Sequence, residues 1–308
     1  MGLSRKEVVD MKHKIGGVLL FITLLAALLP GAAPARDIEP VVSVDWLAAN
    51  LEKPNLVVLD VRRVEDYLAG HVPRSLSAFY GGWAYKRAGL YTAIPDQQEL
   101  DDLIGSAGID FDSWVVVVGG VETPRESYKS ARVACTLQYA GVPNVALLDG
   151  GIASWIKAKK PLETGLKRTK CKPFQGKYRT DLFADKAYLK SRLGKVVLLD
   201  VREREFFDGT RKMDCVPKAG RIPGAFNLPT SCAFNEDGTY KDKQALTVIA
   251  ESAAGKDRTR EIVTYCDTGQ CCPTWSYLMR EMLGYRNVRI YDGAMQEWMQ
   301  DNAAPATK

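Results

Sequence analysis

Three landmarks recur in this chain at nearly one spacing, and their recurrence restricts the fold more than any single motif does. The run Leu56-Val57-Val58-Leu59-Asp60-Val61-Arg62 returns as Val196-Val197-Leu198-Leu199-Asp200-Val201-Arg202. Gly70-His71-Val72-Pro73 returns as Gly220-Arg221-Ile222-Pro223-Gly224-Ala225, and Val145-Ala146-Leu147-Leu148-Asp149-Gly150-Gly151 returns as Val288-Arg289-Ile290-Tyr291-Asp292-Gly293. Asp60 and Asp200 lie 140 residues apart; Asp149 and Asp292, like Trp155 and Trp298, lie 143 apart. A near-constant offset at separate landmarks marks a duplicated unit.

Within each unit, short apolar runs rich in Val, Ile and Leu alternate with helical patterns. Ser43 to Leu51 reads as a helix capped by Ser43, Asp96 to Ala107 and Ser127 to Ala140 as further helices, and Trp114 to Val118 as a buried strand. Strands alternating with helices predict an α/β fold, two tandem domains each holding a mostly parallel sheet flanked by helices. The Lys- and Pro-rich stretch from Lys157 to Lys177 holds the boundary. This gives a first domain over 36–160, a linker over 161–177 and a second domain over 178–308.

What both copies keep is expected to be architecture. Asp60 with Arg62 and Asp200 with Arg202 read as structural ion pairs or turn caps, the glycines after Asp149 and Asp292 as turns, and Trp155 and Trp298 as packing. His71, matched only by Arg221, is assigned to a turn. The copies differ after the central strand. The first runs from Val118 into Gly119-Gly120-Val121-Glu122-Thr123-Pro124-Arg125, with no cysteine; the second runs from Glu261-Ile262-Val263-Thr264-Tyr265 into Cys266-Asp267-Thr268-Gly269-Gln270-Cys271-Cys272-Pro273. The first domain is therefore expected to be inactive, completing a cleft and buttressing its partner.

Cys266 stands where an apolar, β-branched run stops. Seven residues later Pro273 opens a pattern of Trp275, Leu278, Met279, Met282 and Leu283 at helical spacing. Proline is favoured in the first turn because its missing N–H has no partner there, and Gly284 reads as the C-terminal stop. This strand, loop and helix would aim loop amides and the positive end of a helix at Cys266, stabilising its thiolate. A plain buried cysteine is the alternative, weakened by the presence of this loop in one copy alone.

The seven cysteines also argue against other chemistries. Vicinal Cys271 and Cys272 cannot readily fill two corners of a tetrahedron, and no CxxC pair or histidine cluster accompanies them. The two histidines, His13 and His71, leave little for a Cys-His or Ser-His machine. A formal net charge of +5 includes four basic residues near the N-terminus, so the remainder is nearly balanced and lacks the basic face that nucleic acid requires. Arg5, Lys6, Lys12 and Lys14 precede the apolar run Ile15 to Leu29, followed by Ala33-Pro34-Ala35. This is the pattern of a signal peptide over 1–35, cut after Ala35, with Met11 an equally good start. The run is shorter than the roughly 18 residues of a spanning helix, so a retained anchor is the less favoured alternative. The expectation is a periplasmic or secreted protein with no stable membrane insertion after cleavage.

Taken together, Asp-Val-Arg followed by Gly-His-Val-Pro or Gly-Arg-Ile-Pro-Gly-Ala, the loop from Cys266 to Cys271, and Asn144-Val145 to Trp155 with Asn287-Val288 to Trp298 make the chain resemble a tandem rhodanese-type sulfurtransferase of the thiosulfate and 3-mercaptopyruvate sulfurtransferase family. The resemblance covers nearly all of 40–300. It implies that Cys266 takes a sulfane sulfur from a small-molecule donor such as thiosulfate, mercaptopyruvate or polysulfide, holds it as a persulfide, and passes it to cyanide or a thiol. The persulfide charge would rest on main-chain N–H groups of Asp267, Thr268, Gly269, Gln270, Cys271 and Cys272, and no metal or organic cofactor is needed. Two departures from the family pattern leave the donor open. Asp267 stands directly after the cysteine in place of a basic residue and is expected to repel a dianion and raise the thiol pKa. Phe206 stands where related enzymes place a substrate-binding arginine, which leaves Arg204, Lys218 and Arg221 as candidates to compensate. Two other readings stay open: a thiol-disulfide switch or exchanger pairing Cys266 with Cys271 or Cys272, and a binding module whose loop has lost activity. Cys215 and Cys232 are a candidate structural bridge.

Overall fold

The computed structural model describes residues 36–302 and 304–307. The expected leader and its cut after Ala35 lie outside the described residues. Residues 37–308 form one compact unit that contains both copies of the repeat.

The first copy runs β1 (Val41–Val42), α1 (Val44–Asn50), β2 (Leu56–Asp60), α2 (Val64–Ala69), β3 (Leu76–Ser77), β4 (Tyr85–Arg87), β5 (Leu90–Ala93), α3 (Gln97–Ser106), β6 (Trp114–Val118), α4 (Pro124–Tyr139), β7 (Asn144–Leu148) and α5 (Gly151–Lys157). The second runs β8 (Phe183–Ala184), α6 (Lys186–Arg192), β9 (Val197–Asp200), α7 (Arg204–Phe207), β10 (Ala225–Asn227), α8 (Lys243–Ala254), β11 (Glu261–Tyr265), α9 (Cys272–Glu281), β12 (Asn287–Tyr291) and α10 (Ala294–Trp298). Each copy builds a five-stranded parallel sheet, ordered β1-β7-β6-β2-β3 in the first and β8-β12-β11-β9-β10 in the second. The order is the same, strand for strand. Helices cover both faces of such sheets, which is why the central strands read as unbroken apolar runs instead of alternating ones. Ser43 caps α1 by accepting from the Trp46 N–H, and Asp96 with Glu99 forms a capping box on α3.

The conserved pairs of the repeat are structural. Arg62 reaches Asp60 at 2.7 Å and the Gly70 carbonyl at 2.7 Å, all buried. Arg202 does the same with Asp200 at 2.6 Å and the Gly220 carbonyl at 2.8 Å. Each pair ties the end of a strand to the turn that follows it. His71 is buried, stacks on Tyr67 at 3.9 Å and places Nδ1 2.8 Å from the Tyr67 carbonyl.

The connecting stretch is laid along the first copy. Glu163 pairs with His71 through main chain, Lys172 N donates to Gly105 O, Lys177 N to Ala140 O and Arg179 N to Tyr139 O. The β4–β5 hairpin was not legible as strands, and it turns out to matter most for the site. It reaches across to the second copy, where the Ile94 N–H donates to Asp292 at 3.2 Å and the Tyr91 N–H to Gln296 at 2.8 Å. The contact is reciprocal: the Tyr240 N–H of the second copy donates to Asp149 of the first at 2.8 Å.

Candidate active site

The carboxyl ends of β9, β11 and β12 deliver Arg202, Cys266 and Asp292 to one edge of the second sheet, the usual place for a site in an open parallel sheet. Residues Ile262 to Tyr265 are fully buried, so the strand is fixed up to the residue before the cysteine. The chain then bends around the sulfur. The Met295 N–H donates to the Cys266 carbonyl and the Gln296 N–H to the Asp267 carbonyl, each at 3.0 Å, which pins the loop to the start of α10. Gly269 sits at φ +88°, where a Cβ would lie 2.7 Å from the Asp292 carbonyl oxygen. Only glycine fits there, and the bend turns the Gly269 N–H onto Cys266 Sγ at 3.1 Å.

Helix α9 begins at Cys272 with Pro273 in its first turn, as the sequence reading expected. It ends at Glu281, three residues ahead of Gly284. Cys266 is 2% exposed. Burial pushes its thiol up, but hydrogen bonds from the Cys271 and Cys272 thiols and from the amides of both residues outweigh burial and hold it well below the ordinary thiol range. Cys272 Sγ stands 3.7 Å from Cys266 Sγ. The two neighbours move the other way: the Cys266 hydrogen bond and burial drive Cys271 up, and burial followed by the same hydrogen bond drives Cys272 up. The arrangement is one thiolate served by two thiols.

Asp267 departs from its expected effect. Its carboxylate is 3.1 Å from Arg202 Nη1, and the Cys266 thiol falls instead of rising. The hydrogen bonds from Cys271 and Cys272 outweigh the repulsion from the Asp267 carboxylate, which Arg202 offsets only in part. Burial, opposed by Arg202 and reinforced by the Cys266 thiolate, pushes the Asp267 carboxyl up to about 6.

A pocket of about 160 Å³ opens beside the sulfur, walled by Tyr128, Val201, Phe206 and Met213, with Glu203, Gln270, Thr268 and Cys271 around the loop. Arg204, Lys218 and Arg221 are not among its lining residues. Arg204 pairs with Asp208 at 2.8 Å, Lys218 with Asn302 at 2.7 Å, and Arg221 lies over the Phe207 ring while donating to the Phe207 carbonyl. Each of the three is held by a partner outside the pocket lining. The cation at the pocket is Arg202. No disulfide joins the described cysteines, so neither Cys215 with Cys232 nor Cys266 with Cys271 or Cys272 is bridged.

The sequence reading expected the first domain to complete a cleft and buttress its partner, but it did not name the residues that do so. Arg132, fully buried on α4, donates to the Gly269 carbonyl at 3.2 Å, pairs with Asp292 and donates to the Thr92 carbonyl at 2.9 Å. Thr92 in turn donates to the Thr268 carbonyl. One arginine thus ties the hairpin, the cysteine loop and the turn after β12. The available signal was a lone arginine within Ala131, Val133, Ala134 and Cys135, an otherwise small and apolar helix run. Tyr128, one turn before it on the same helix, supplies a pocket wall.

The family model described as rhodanese-like domain matches this chain twice, over residues 43–158 and 184–301. A Mycobacterium leprae protein carrying the name thiosulfate sulfurtransferase is 30% identical over 276 residues, which is 84% of this chain and 94% of that protein. The sulfur carrier protein TtuD of Thermus thermophilus is 29% identical over 290 residues, covering 88% of this chain and 97% of its own. The crystal structure of the 3-mercaptopyruvate sulfotransferase SseA from Escherichia coli superposes with a TM-score of 0.73 at 22% identity, covering 83% of this chain and 99% of that one.

Proposed function

The chain belongs to the family of rhodanese-like domain proteins and is a sulfurtransferase, and on that footing we propose that Cys266 carries the transferred atom as a persulfide. The Cys266 thiolate attacks the outer sulfur of a polysulfide or thiosulfate donor, whose S–S bond breaks and whose remainder leaves as an anion; with mercaptopyruvate the bond broken is C–S and the leaving group is the pyruvate carbanion, which takes up a proton. The product, Cys266–S–S⁻, keeps one negative charge beside the Gly269 N–H and the start of α9. An acceptor thiolate or cyanide then attacks the outer sulfur, and the Cys266 thiolate is regenerated. The observation that carries this reading is the thiol itself: a buried sulfur held well below its ordinary pKa, with an amide 3.1 Å away and a pocket opening beside it.

Among donors, the lining favours polysulfide over thiosulfate or mercaptopyruvate. Arg202 is the one cation among the described lining residues, and its donors are already engaged by Asp200, the Gly220 carbonyl and Asp267. Glu203 adds an acidic side chain at the same pocket. A compact oxyanion finds no unengaged cation among the described lining residues, whereas a polysulfide chain spreads its charge over soft sulfur and suits walls of Phe206, Met213 and Val201. Mass spectrometry after exposure to each donor tests the reading: polysulfide is expected to add about 32 Da at Cys266, one sulfur atom, and Cys266→Ser is expected to abolish both loading and transfer to cyanide. Undiminished transfer by Cys266→Ser would remove Cys266 from the mechanism.

A further inference from the structure

The loop places a second thiol against the first in a position that sulfur transfer does not require. Cys272 Sγ is in van der Waals contact with Cys266 Sγ at 3.7 Å, with Cys272 wholly buried in the core and the pocket opening at Cys266 itself. Cys271 differs, because it lines the pocket. In the persulfide the outer sulfur must occupy the pocket, the space available beside Cys266. Displacement at sulfur proceeds through the antibonding orbital of the S–S bond, which lies on the bond axis opposite the departing atom. A nucleophile for Cys266 Sγ must therefore come from the protein side. Cys272 stands there, and Cys271 stands on the side of the outer sulfur.

We propose that Cys272 is a resolving thiol that attacks Cys266 Sγ and expels the bound sulfane sulfur as hydrosulfide, giving the protein a second, reductive activity. This rests on the persulfide reading above. The step balances as Cys266–S–S⁻ plus Cys272–SH giving a Cys266–Cys272 disulfide plus HS⁻. The Cys272 proton leaves with the hydrosulfide, the outer sulfur gains two electrons, and the thiol pair is oxidised by two. Reset requires an external dithiol reductant. Its thiolate enters the pocket, attacks Cys266 Sγ along the same axis, and releases Cys272 as the leaving group, which takes up a proton.

The electrostatics agree with the geometry. Apart from burial, the causes that hold Cys272 protonated are its hydrogen bond to the Cys266 thiolate and the charges of Cys266 and Cys271, while Arg132 acts in the opposite sense. Persulfidation moves the charge of Cys266 out to the outer sulfur. Burial stays, but the next largest cause that keeps Cys272 protonated is thereby weakened at the step that needs its sulfur.

The test is a single turnover of the full chain, loaded with polysulfide, desalted and incubated without added thiol. The wild type is expected to lose the added mass of about 32 Da, release one hydrosulfide per loaded chain, and finish about 2 Da below its reduced mass with a mapped Cys266–Cys272 disulfide. Cys272→Ser, and Cys272→Ala as a second variant, are expected to keep the added sulfur and release at least tenfold less hydrosulfide. Cys171→Ser, at an exposed position of the connecting stretch, is expected to behave as the wild type. A wild-type persulfide that persists without hydrosulfide, or hydrosulfide released equally by both Cys272 variants, would overturn the proposal. The wild-type disulfide map decides even if neither variant folds, and a map showing Cys266 joined to Cys271 would also overturn it. Failure of every donor to load Cys266 would instead remove the persulfide reading, and this proposal with it.

Discussion

Replacing Asp267 with asparagine tests the electrostatic account of the site in two independent ways. The Asp267 carboxyl, raised from 3.8 to about 6, is costly to ionise in the folded protein because burial and the Cys266 thiolate outweigh Arg202. A rise of about two units corresponds to about 3 kcal/mol. The folded state binds more protons than the unfolded state between roughly pH 4 and 6, so this contribution makes stability fall as pH rises through that window, with the full cost present at pH 7. Asp267→Asn removes the ionisation and keeps a neutral hydrogen-bonding side chain beside Arg202, which retains Asp200 at 2.6 Å. The variant is expected to be more stable than the wild type by about 2–3 kcal/mol at pH 7.5 and by nothing measurable near pH 4, read from urea midpoints across that range. The second readout is turnover of thiosulfate. At about 6 Å and an effective dielectric near 40, one carboxylate charge opposes one charge of the donor by about 1.4 kcal/mol, so Asp267→Asn should raise kcat/KM for thiosulfate about tenfold at pH 7.5. In the wild type the rate should climb as pH falls through 6, and in the variant that climb should vanish. A wild type whose stability relative to the variant is the same at pH 4 and pH 7.5 would show that Asp267 is not the strained carboxylate described here.

Two further outcomes follow from the way the first domain grips the loop. Arg132→Met leaves the buried side of Asp292 and the Gly269 and Thr92 carbonyls without their cation, and is expected to cost about 3–5 kcal/mol in chemical denaturation; adding Asp292→Asn should return part of that loss, and a single-variant cost below about 1 kcal/mol would contradict the assignment. Gly269→Ala must hold φ near +88° with its Cβ 2.7 Å from a carbonyl oxygen, so a stability loss above about 2 kcal/mol and slower alkylation of Cys266 at neutral pH are expected, the latter because the amide at 3.1 Å is displaced; unchanged alkylation would mean that this amide does not hold the thiolate.

The three central strands of each sheet were legible because their composition is dictated twice over: helices on both faces make them largely apolar, and the repeat shows each one again. The span from Trp114 to Val118 and that from Glu261 to Tyr265 match the folded strands residue for residue. The cysteine loop was legible for the same reason, since a strand end, a glycine and a proline leave little freedom. What was illegible depends on contacts distant in sequence. Arg132 meets Gly269 and Asp292 across 137 and 160 residues, and nothing in its neighbourhood distinguishes a buried cross-domain arginine from an unusual surface one. The opposite error befell Arg204, Lys218 and Arg221. Counting along the chain puts three cations near the pocket, but a side chain's direction is set by its own partners, here the Phe207 ring for Arg204 and Arg221 and Asn302 for Lys218.

The duplicated architecture also explains why one half can afford to lack a thiol. Gly119 occupies the place of Cys266: the Ile152 N–H donates to its carbonyl as the Met295 N–H donates to that of Cys266, both at 3.0 Å. Each half sends a segment onto the other, Ile94 to Asp292 and Tyr240 to Asp149, so the two carboxyl edges are covered by the same exchange of chain. The results differ in volume. In the first half Phe234 and Tyr240 close over Gly119 and leave about 10 Å³, no more than a single water can fill, whereas the second keeps about 160 Å³ beside Cys266. The hairpin that covers the second edge is anchored through Arg132 to main chain, at Gly269 and Thr92, and so braces the loop without filling its mouth. Sealing one edge and bracing the other are two uses of one symmetric contact, and the asymmetry lies in whether the rings delivered across it close over the edge, as Phe234 and Tyr240 do, or stand at its wall, as Tyr128 does beside the bracing Arg132.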